Sequence, residues 1–304
     1  MKLRYVHAMG WCLVTRVIAM RFVVALLALL LAAPAFAQTA TPMGSEGTIN
    51  REQIYRFPHV ADEGRTLAAI VFRAPGDTPR PLVIMNHHTS GDAARNAEPR
   101  HGVYPNSVAW FIERGYVVAV LHRRGYGLTG GALADVFACA SPNHVRAGRA
   151  DAADIGSAVD ALTQLPFIRK DGVIIVGQST GGWASIAMAA ENHPAVAGII
   201  NFAGGRRGTS GQTREVCAID QLPRDAGYFG RRARTPSLWI YSENDRLFSP
   251  NLVKAMRDAY VGAGGKVEFS GLPAFGDDGH SLFPNPRGIP IWGPIVERFI
   301  LKFR

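Results

Sequence analysis

The sequence predicts an α/β fold: a mostly parallel central sheet, helices on both faces, and a short cap-like insert. Three observations carry this. Short, continuously apolar runs recur at 81–85, 116–121, 173–176, 196–201 and 237–241, with a weaker one at 267–269. Segments with helical spacing of apolar positions lie between them, at 107–114, 145–165, 183–192 and 251–261, and a closing helix is expected at 295–303. Strands that are apolar throughout and alternate with helices belong in a parallel sheet buried on both sides. Two earlier strands, 49–57 and 66–72, are joined by a turn containing Gly64 and no helix, which makes them an antiparallel edge.

Taken in order, the chain opens on a segment that belongs to targeting rather than to the fold. Lys2, Arg4, Arg16 and Arg21 are its only formal charges, and no acid precedes Glu46. Residues 22–33 are apolar and lead into Pro34-Ala35-Phe36-Ala37, whose alanines are the small residues a signal peptidase accepts. Residues 1–37 therefore read as a signal peptide cleaved after Ala37, with Met20 a second possible start. The apolar run is shorter than the ~20 residues needed to span a bilayer. A secreted or periplasmic protein is expected, with no stable membrane insertion after cleavage, and residues 38–304 form one domain.

The helix at 145–165 shows the logic of the elements that follow. Ala150, Ala153, Ala158, Leu162 and Leu165 recur at helical intervals, Arg149, Asp151 and Asp160 can face water, and Pro166 ends the run. One stretch breaks the rhythm: 203–235 is rich in Gly and Arg and has poor periodicity. It is a candidate lid, with an ordinary surface excursion as the alternative.

Composition excludes some classes. At 47% hydrophobic and 19% charged, the 304-residue chain can build a sizeable core and is not a disordered protein. The net charge of +9 falls to +5 when the leader's four basic residues are removed, and no basic run interleaved with aromatics appears. A nucleic-acid partner is not expected. Cys12 leaves with the leader; Cys139 and Cys217 remain and are read as one disulfide in preference to two buried thiols.

The chemistry centres on Gly177-Gln178-Ser179-Thr180-Gly181-Gly182, set between a strand at 173–176 and a helix from Trp183. That context makes Ser179 the nucleophile of a sharp strand-to-helix turn, whose glycines allow close backbone approach. A serine hydroxyl needs a base to take its proton, and in this arrangement an acid and then a histidine follow in chain order. Only His193 and His280 come after Ser179, and His193 lies at a helix end before Pro194, so His280 is the base. Asp245, directly after the strand ending at Tyr241, is the acid; Glu243, Asp277 and Asp278 are rivals. The backbone N–H of Thr180 is one oxyanion donor, and the loop Asn86-His87-His88-Thr89 supplies the other from Thr89, with His88 the alternative. His88 and Tyr126 are the candidate substrate contacts. The adjacent histidines lack the spacing of metal ligands, so His87 reads as a loop brace.

These residues resemble those of a known group. The strand–Gly-Gln-Ser-Thr-Gly-Gly–helix unit and the loops of Asp245 and His280 resemble dienelactone-hydrolase-like members of the α/β-hydrolase superfamily. Arg124-Gly125-Tyr126-Gly127-Leu128-Thr129-Gly130-Gly131 resembles an Arg-Gly-x-Gly-x-Ser-x-Gly loop of prolyl-oligopeptidase-type and acyl-peptidase relatives. Two departures stand out: dienelactone hydrolases use a cysteine where this chain has Ser179, and their His-Gly-x donor loop here reads His87-His88-Thr89. The resemblance implies a serine hydrolase acting on a small-molecule ester through an acyl-enzyme, without metal or organic cofactor. A small peptidase or amidase and a noncatalytic envelope binding protein are the alternatives, and a lipase would want a more hydrophobic insert. Arg206, Arg207, Arg231, Arg232 and Arg234 either favour an anionic substrate or form a solvated basic face.

Overall fold

A computed structural model of the chain describes residues 39–133, 142–206, 208–209 and 216–304, with only the backbone given at 208–209 and 216–217. The signal-peptide reading, Cys139 and Arg207 lie outside the described residues, and so does the side chain of Cys217. Nine strands form one sheet. In chain order they are β1 (Thr41–Met43), β2 (Gln53–Pro58), β3 (Thr66–Phe72), β4 (Leu82–Asn86), β5 (Val117–His122), β6 (Val173–Gln178), β7 (Val196–Phe202), β10 (Ser237–Ser242) and β11 (Val267–Leu272). A separate two-residue ladder pairs β8 (Gly208–Thr209) with β9 (Val216–Cys217).

The sheet order is β1-β2-β3-β5-β4-β6-β7-β10-β11. Pairings up to β3–β5 are antiparallel, and the rest are parallel. This is the antiparallel edge and parallel body expected from the sequence. Strand β2 alternates, burying Gln53, Tyr55 and Phe57, whereas every residue of β4, β5 and β6 is buried. The start of β2 differs from expectation by four residues. Asn50 and Arg51 take positive φ values of 50° and 45°, a turn that ends any strand beginning at Ile49.

The helices are α1 (Ala93–Asn96), α2 (Pro105–Glu113), α3 (His144–Leu162), α4 (Thr180–Ala189), α5 (Leu222–Gly230), α6 (Pro250–Gly262) and α7 (Ile289–Ile300). One face of the sheet packs against α3 to α6, through residues such as Ile155, Trp183, Phe229 and Met256. The other packs against α2 and α7, through Phe111, Trp292, Val296 and Phe299. Helix α1 is not anticipated by the sequence reading, and α5 and α7 depart from it. Within the insert, α5 buries Leu222, Ala226 and Phe229 at positions i, i+4 and i+7, so 222–230 is part of the core layer. Helix α7 begins six residues early and contains Pro294. A proline inside a helix is normally a break, but here Trp292, Val296, Phe299 and Ile300 are buried along the helix and hold it.

The order of the middle strands places the functional end. After β4 the chain moves outward to β5, then crosses back so that β6 lies on the other side of β4. Such a reversal opens a crevice beyond the carboxyl ends of the strands. Asn86, the last residue of β4, sits in register with Gly177, two residues before Ser179.

Candidate active site

Ser179 follows β6 directly and is the N-cap of α4, with φ 57° and ψ −120°. This left-handed conformation is uncommon for a residue with a side chain and carries strain of about 1–3 kcal/mol. The neighbours hold it. Ser179 N–H donates to Phe202 O at 3.0 Å, and Ser179 O accepts from Trp183 N at 3.0 Å and Gly205 N at 3.2 Å. The turn closes only around glycine. A Cβ on Gly177 would fall 2.0 Å from Gly181 O, and one on Gly181 would fall 2.1 Å from Asn86 O. The first N–H groups of α4, including that of Thr180, lack intrahelical acceptors and make an anion-favouring end.

Asp245 lies after β10, and His280 lies in a short 3₁₀ turn, Gly279–Ser281, after β11. Asp245 Oδ2 is 3.0 Å from His280 Nδ1, with the carboxylate fully buried and the imidazole 15% exposed. The other carboxylate oxygen accepts from Leu247 N at 2.8 Å and Phe248 N at 3.0 Å, which fixes its orientation. Of the rivals, Asp278 accepts the N–H groups of His280 (3.0 Å) and Arg246 (3.1 Å), clamping the two loops together. Glu243 accepts Ala274 N, and Asp277 is exposed. Gln178 Nε2 donates to His280 O at 3.1 Å and ties the histidine turn to the residue before the serine. Ser179 Oγ and His280 Nε2 form no hydrogen bond among the described residues; such contacts often tighten only when substrate binds.

The loop after β4 approaches from the other side. His88 O accepts from both His87 Nδ1 and His101 Nε2, each at 2.9 Å, and His87 O accepts from Arg123 at 3.0 Å. In a trans peptide the C=O of one residue and the N–H of the next point in opposite directions. No peptide among those described is cis, so holding His88 O inward turns Thr89 N–H away from the two imidazoles. Thr89 Oγ1 lies 2.6 Å from Tyr126 Oη and 2.7 Å from Thr180 Oγ1, which links this loop to the start of α4. His88 Nδ1 is 2.6 Å from Tyr104 Oη.

Electrostatically the imidazoles of this side are kept neutral, beside the buried guanidinium of Arg123. Burial pushes His88 and His122 down to about 4, and pushes His87 well below the usual histidine range, with Arg123 and neighbouring imidazoles adding to the effect. His87 is wholly buried, and its Nε2 has no hydrogen-bond partner among the described residues. No group of three or more potential metal ligands occurs among the described residues. Tyr126 is 4% exposed, packed edge-on against His87 and stacked on His101, with its hydroxyl engaged by Thr89. It packs against the loop after β4. The Arg124 of the same segment pairs with Asp154 of α3 at 2.6 Å and anchors the loop after β5.

The arginines of 203–235 do not form one cluster. Arg206 is buried and bonds Asp151 at 2.8 Å, beside Arg123. Arg232 O and Arg234 N bond Asn192, beyond the C-terminal end of α4, whereas Ser179 is at its N-terminal end. Ten helical residues separate those ends by about 15 Å, so Arg232 and Arg234 are remote from Ser179. His101, Tyr104, Arg123 and Gln178 are the site-forming residues that sequence reasoning missed.

A nine-stranded sheet of this order, with the serine turn after β6 and the Asp–His pair on loops after β10 and β11, defines an α/β-hydrolase fold. Residues 103–202, which include the serine turn, match the model of the Prolyl oligopeptidase family. Among solved structures, acetyl xylan esterase 1 from Thermoanaerobacterium sp. JW/SL YS485 matches with TM-score 0.59 and 15% identity, covering 88% of each chain. Pyrococcus horikoshii acylaminoacyl peptidase matches with TM-score 0.59 and 15% identity over 88% of this chain and 42% of its own. Porphyromonas gingivalis dipeptidyl peptidase 4 matches with the same score and identity over 84% of this chain and 36% of its own. This chain therefore spans less than half of either peptidase. No curated protein matches it. These likenesses establish the fold, and the matched structures are both esterases and peptidases.

Proposed function

We propose that this chain is a secreted serine hydrolase that cleaves small carboxylic esters through an acyl-enzyme. The observation that carries the reading is the Asp245–His280 hydrogen bond, held by Gln178 against the strained serine turn. In this mechanism His280 Nε2 removes the proton from Ser179 Oγ as the oxygen attacks the ester carbonyl. Asp245 accepts from Nδ1–H, keeps that tautomer and stabilises the imidazolium. The N–H groups of Thr180 and Thr89 receive the developing oxyanion, a contribution worth about 3–4 kcal/mol per donor in such sites. His280 then passes its proton to the alcohol, and water releases the acyl group by the reverse steps. His88 is half-buried, and no protein group bonds its Nε2 among the described residues, which suits it to contact substrate. Export rests on the leader at 1–37.

An amidase or peptidase reading draws on the Prolyl oligopeptidase family match over 103–202. The ester reading draws on the likeness to acetyl xylan esterase 1, a match that covers 88% of both chains. Labelling by a fluorophosphonate, compared across wild type, Ser179→Ala and His280→Ala, tests the mechanism. Labelling is expected only in wild type, with ester hydrolysis falling by about 10⁴-fold or more in each variant. A folded wild type that never labels would favour a binding protein. Faster turnover of peptide amides than of short esters would favour the peptidase.

A further inference from the structure

Three hydroxyl groups, from three separate segments, stand in line beside the serine turn. Thr180 is the first residue of α4, Thr89 belongs to the loop after β4, and Tyr126 belongs to the loop after β5. Thr89 Oγ1 is the middle member, 2.7 Å from Thr180 Oγ1 and 2.6 Å from Tyr126 Oη. Thr180 and Thr89 are half-buried and Tyr126 is buried, so water competes poorly for these bonds. Each hydroxyl has one proton to give and can accept as well. Two bonds use two protons, and no other hydrogen bond engages any of the three groups among the described residues.

We infer that the Thr180–Thr89 hydroxyl pair, anchored by Tyr126, sets the spacing of the two oxyanion N–H groups. This rests on the hydrolase reading above. The two residues whose backbones would donate to the oxyanion are bonded to each other through their own side chains. A backbone N–H on a helix end and one on a loop have no shared element to keep them in register; here the hydroxyl bond supplies it. Displacements well below 1 Å weaken a donor aimed at a developing charge. Thr180 and Thr89 side chains are thus positioning residues, acting through their own peptide groups. Substrate affinity depends on the rest of the pocket, so the loss should appear in kcat.

The test is a double-mutant cycle in the mature chain with a short p-nitrophenyl ester, following kcat, KM and thermal midpoint. Valine matches threonine in shape and lacks the hydroxyl. Thr180→Val and Thr89→Val are each expected to lower kcat roughly tenfold, the scale of one hydrogen bond, with KM within about twofold. The double variant should lose no more than Thr89→Val alone, because the Thr180–Thr89 bond is already absent from either single variant and the Thr89–Tyr126 bond is lost with Thr89→Val in both cases. Thr180→Ser should restore most of kcat, since it returns the hydroxyl. Losses that multiply in the double variant, or a Thr180→Ser protein as slow as Thr180→Val, would overturn the pairing while leaving a wild type that labels with fluorophosphonate. A folded wild type that neither labels nor turns over ester would overturn the hydrolase reading, and this inference with it.

Discussion

The loops on the two sides of Ser179 are built from opposite chemistry. Towards β10 and β11, carboxylates do the holding: Asp245 orients His280 and two backbone N–H groups, and Asp278 clamps two more. Towards β4 and β5, imidazoles and hydroxyls do it with the buried Arg123 bonded to His87 O, and burial keeps those imidazoles uncharged. The difference follows from what each side must receive. In the proposed reaction the first side faces an imidazolium, so fixed negative charge stabilises it. The second faces an oxyanion, and neutral donors aimed by structure serve it without altering the protonation of His280.

The largest expected break in that comparison comes from the charged side. Asp245→Asn should lower kcat for ester hydrolysis by about 10³–10⁴-fold near neutral pH, through loss of tautomer control and of the stabilising charge. Steady-state kinetics with a short ester measures this, and a loss below tenfold would give the acid's role to another carboxylate.

A smaller effect is expected one step away. Asp278→Ala releases the N–H groups of His280 and Arg246 and should cost roughly 10–100-fold in kcat by displacing the imidazole. Asp278→Asn keeps an acceptor oxygen and should recover most of it. Equal activity in the two variants would show that charge, and not the clamp, is what matters there.

The smallest effect is a pH signature of the neutral side. His88 and His122 titrate at about 4 in the folded chain, against about 6.5 when unfolded. Between those values the unfolded chain holds protons that the folded chain refuses. The contribution of these two groups to stability is therefore complete above about pH 6.5 and declines as pH falls towards 4. His88→Gln should flatten part of that decline in the thermal midpoint. Superimposable curves for variant and wild type would assign the acid sensitivity to other groups.

What could be read from the sequence was whatever obeys chain order. The parallel strands announce themselves as apolar runs, and Ser179, Asp245 and His280 each follow one. The supporting contacts leave no such trace. His101, Tyr104 and Gln178 act on residues 13, 16 and 102 positions away, and only folding brings those pairs together. Helix α5 was hidden for a different reason: Pro223, Gly227 and Gly230 are poor helix formers and mask the spacing of Leu222, Ala226 and Phe229. The arginines of 203–235 illustrate the converse error, since nearness in sequence joined Arg206 to residues at the opposite end of α4.

The backbone of Ser179 also bears on how such a chain can decay. Glycine occupies φ near 57° without steric penalty, so under the proposed mechanism a copy freed from selection for catalysis would relieve this strain by drifting from serine to glycine at this one position. The route to a more robust but inert protein is a single short step. A chain that keeps serine in that conformation is holding a less stable residue where a more stable one is freely available.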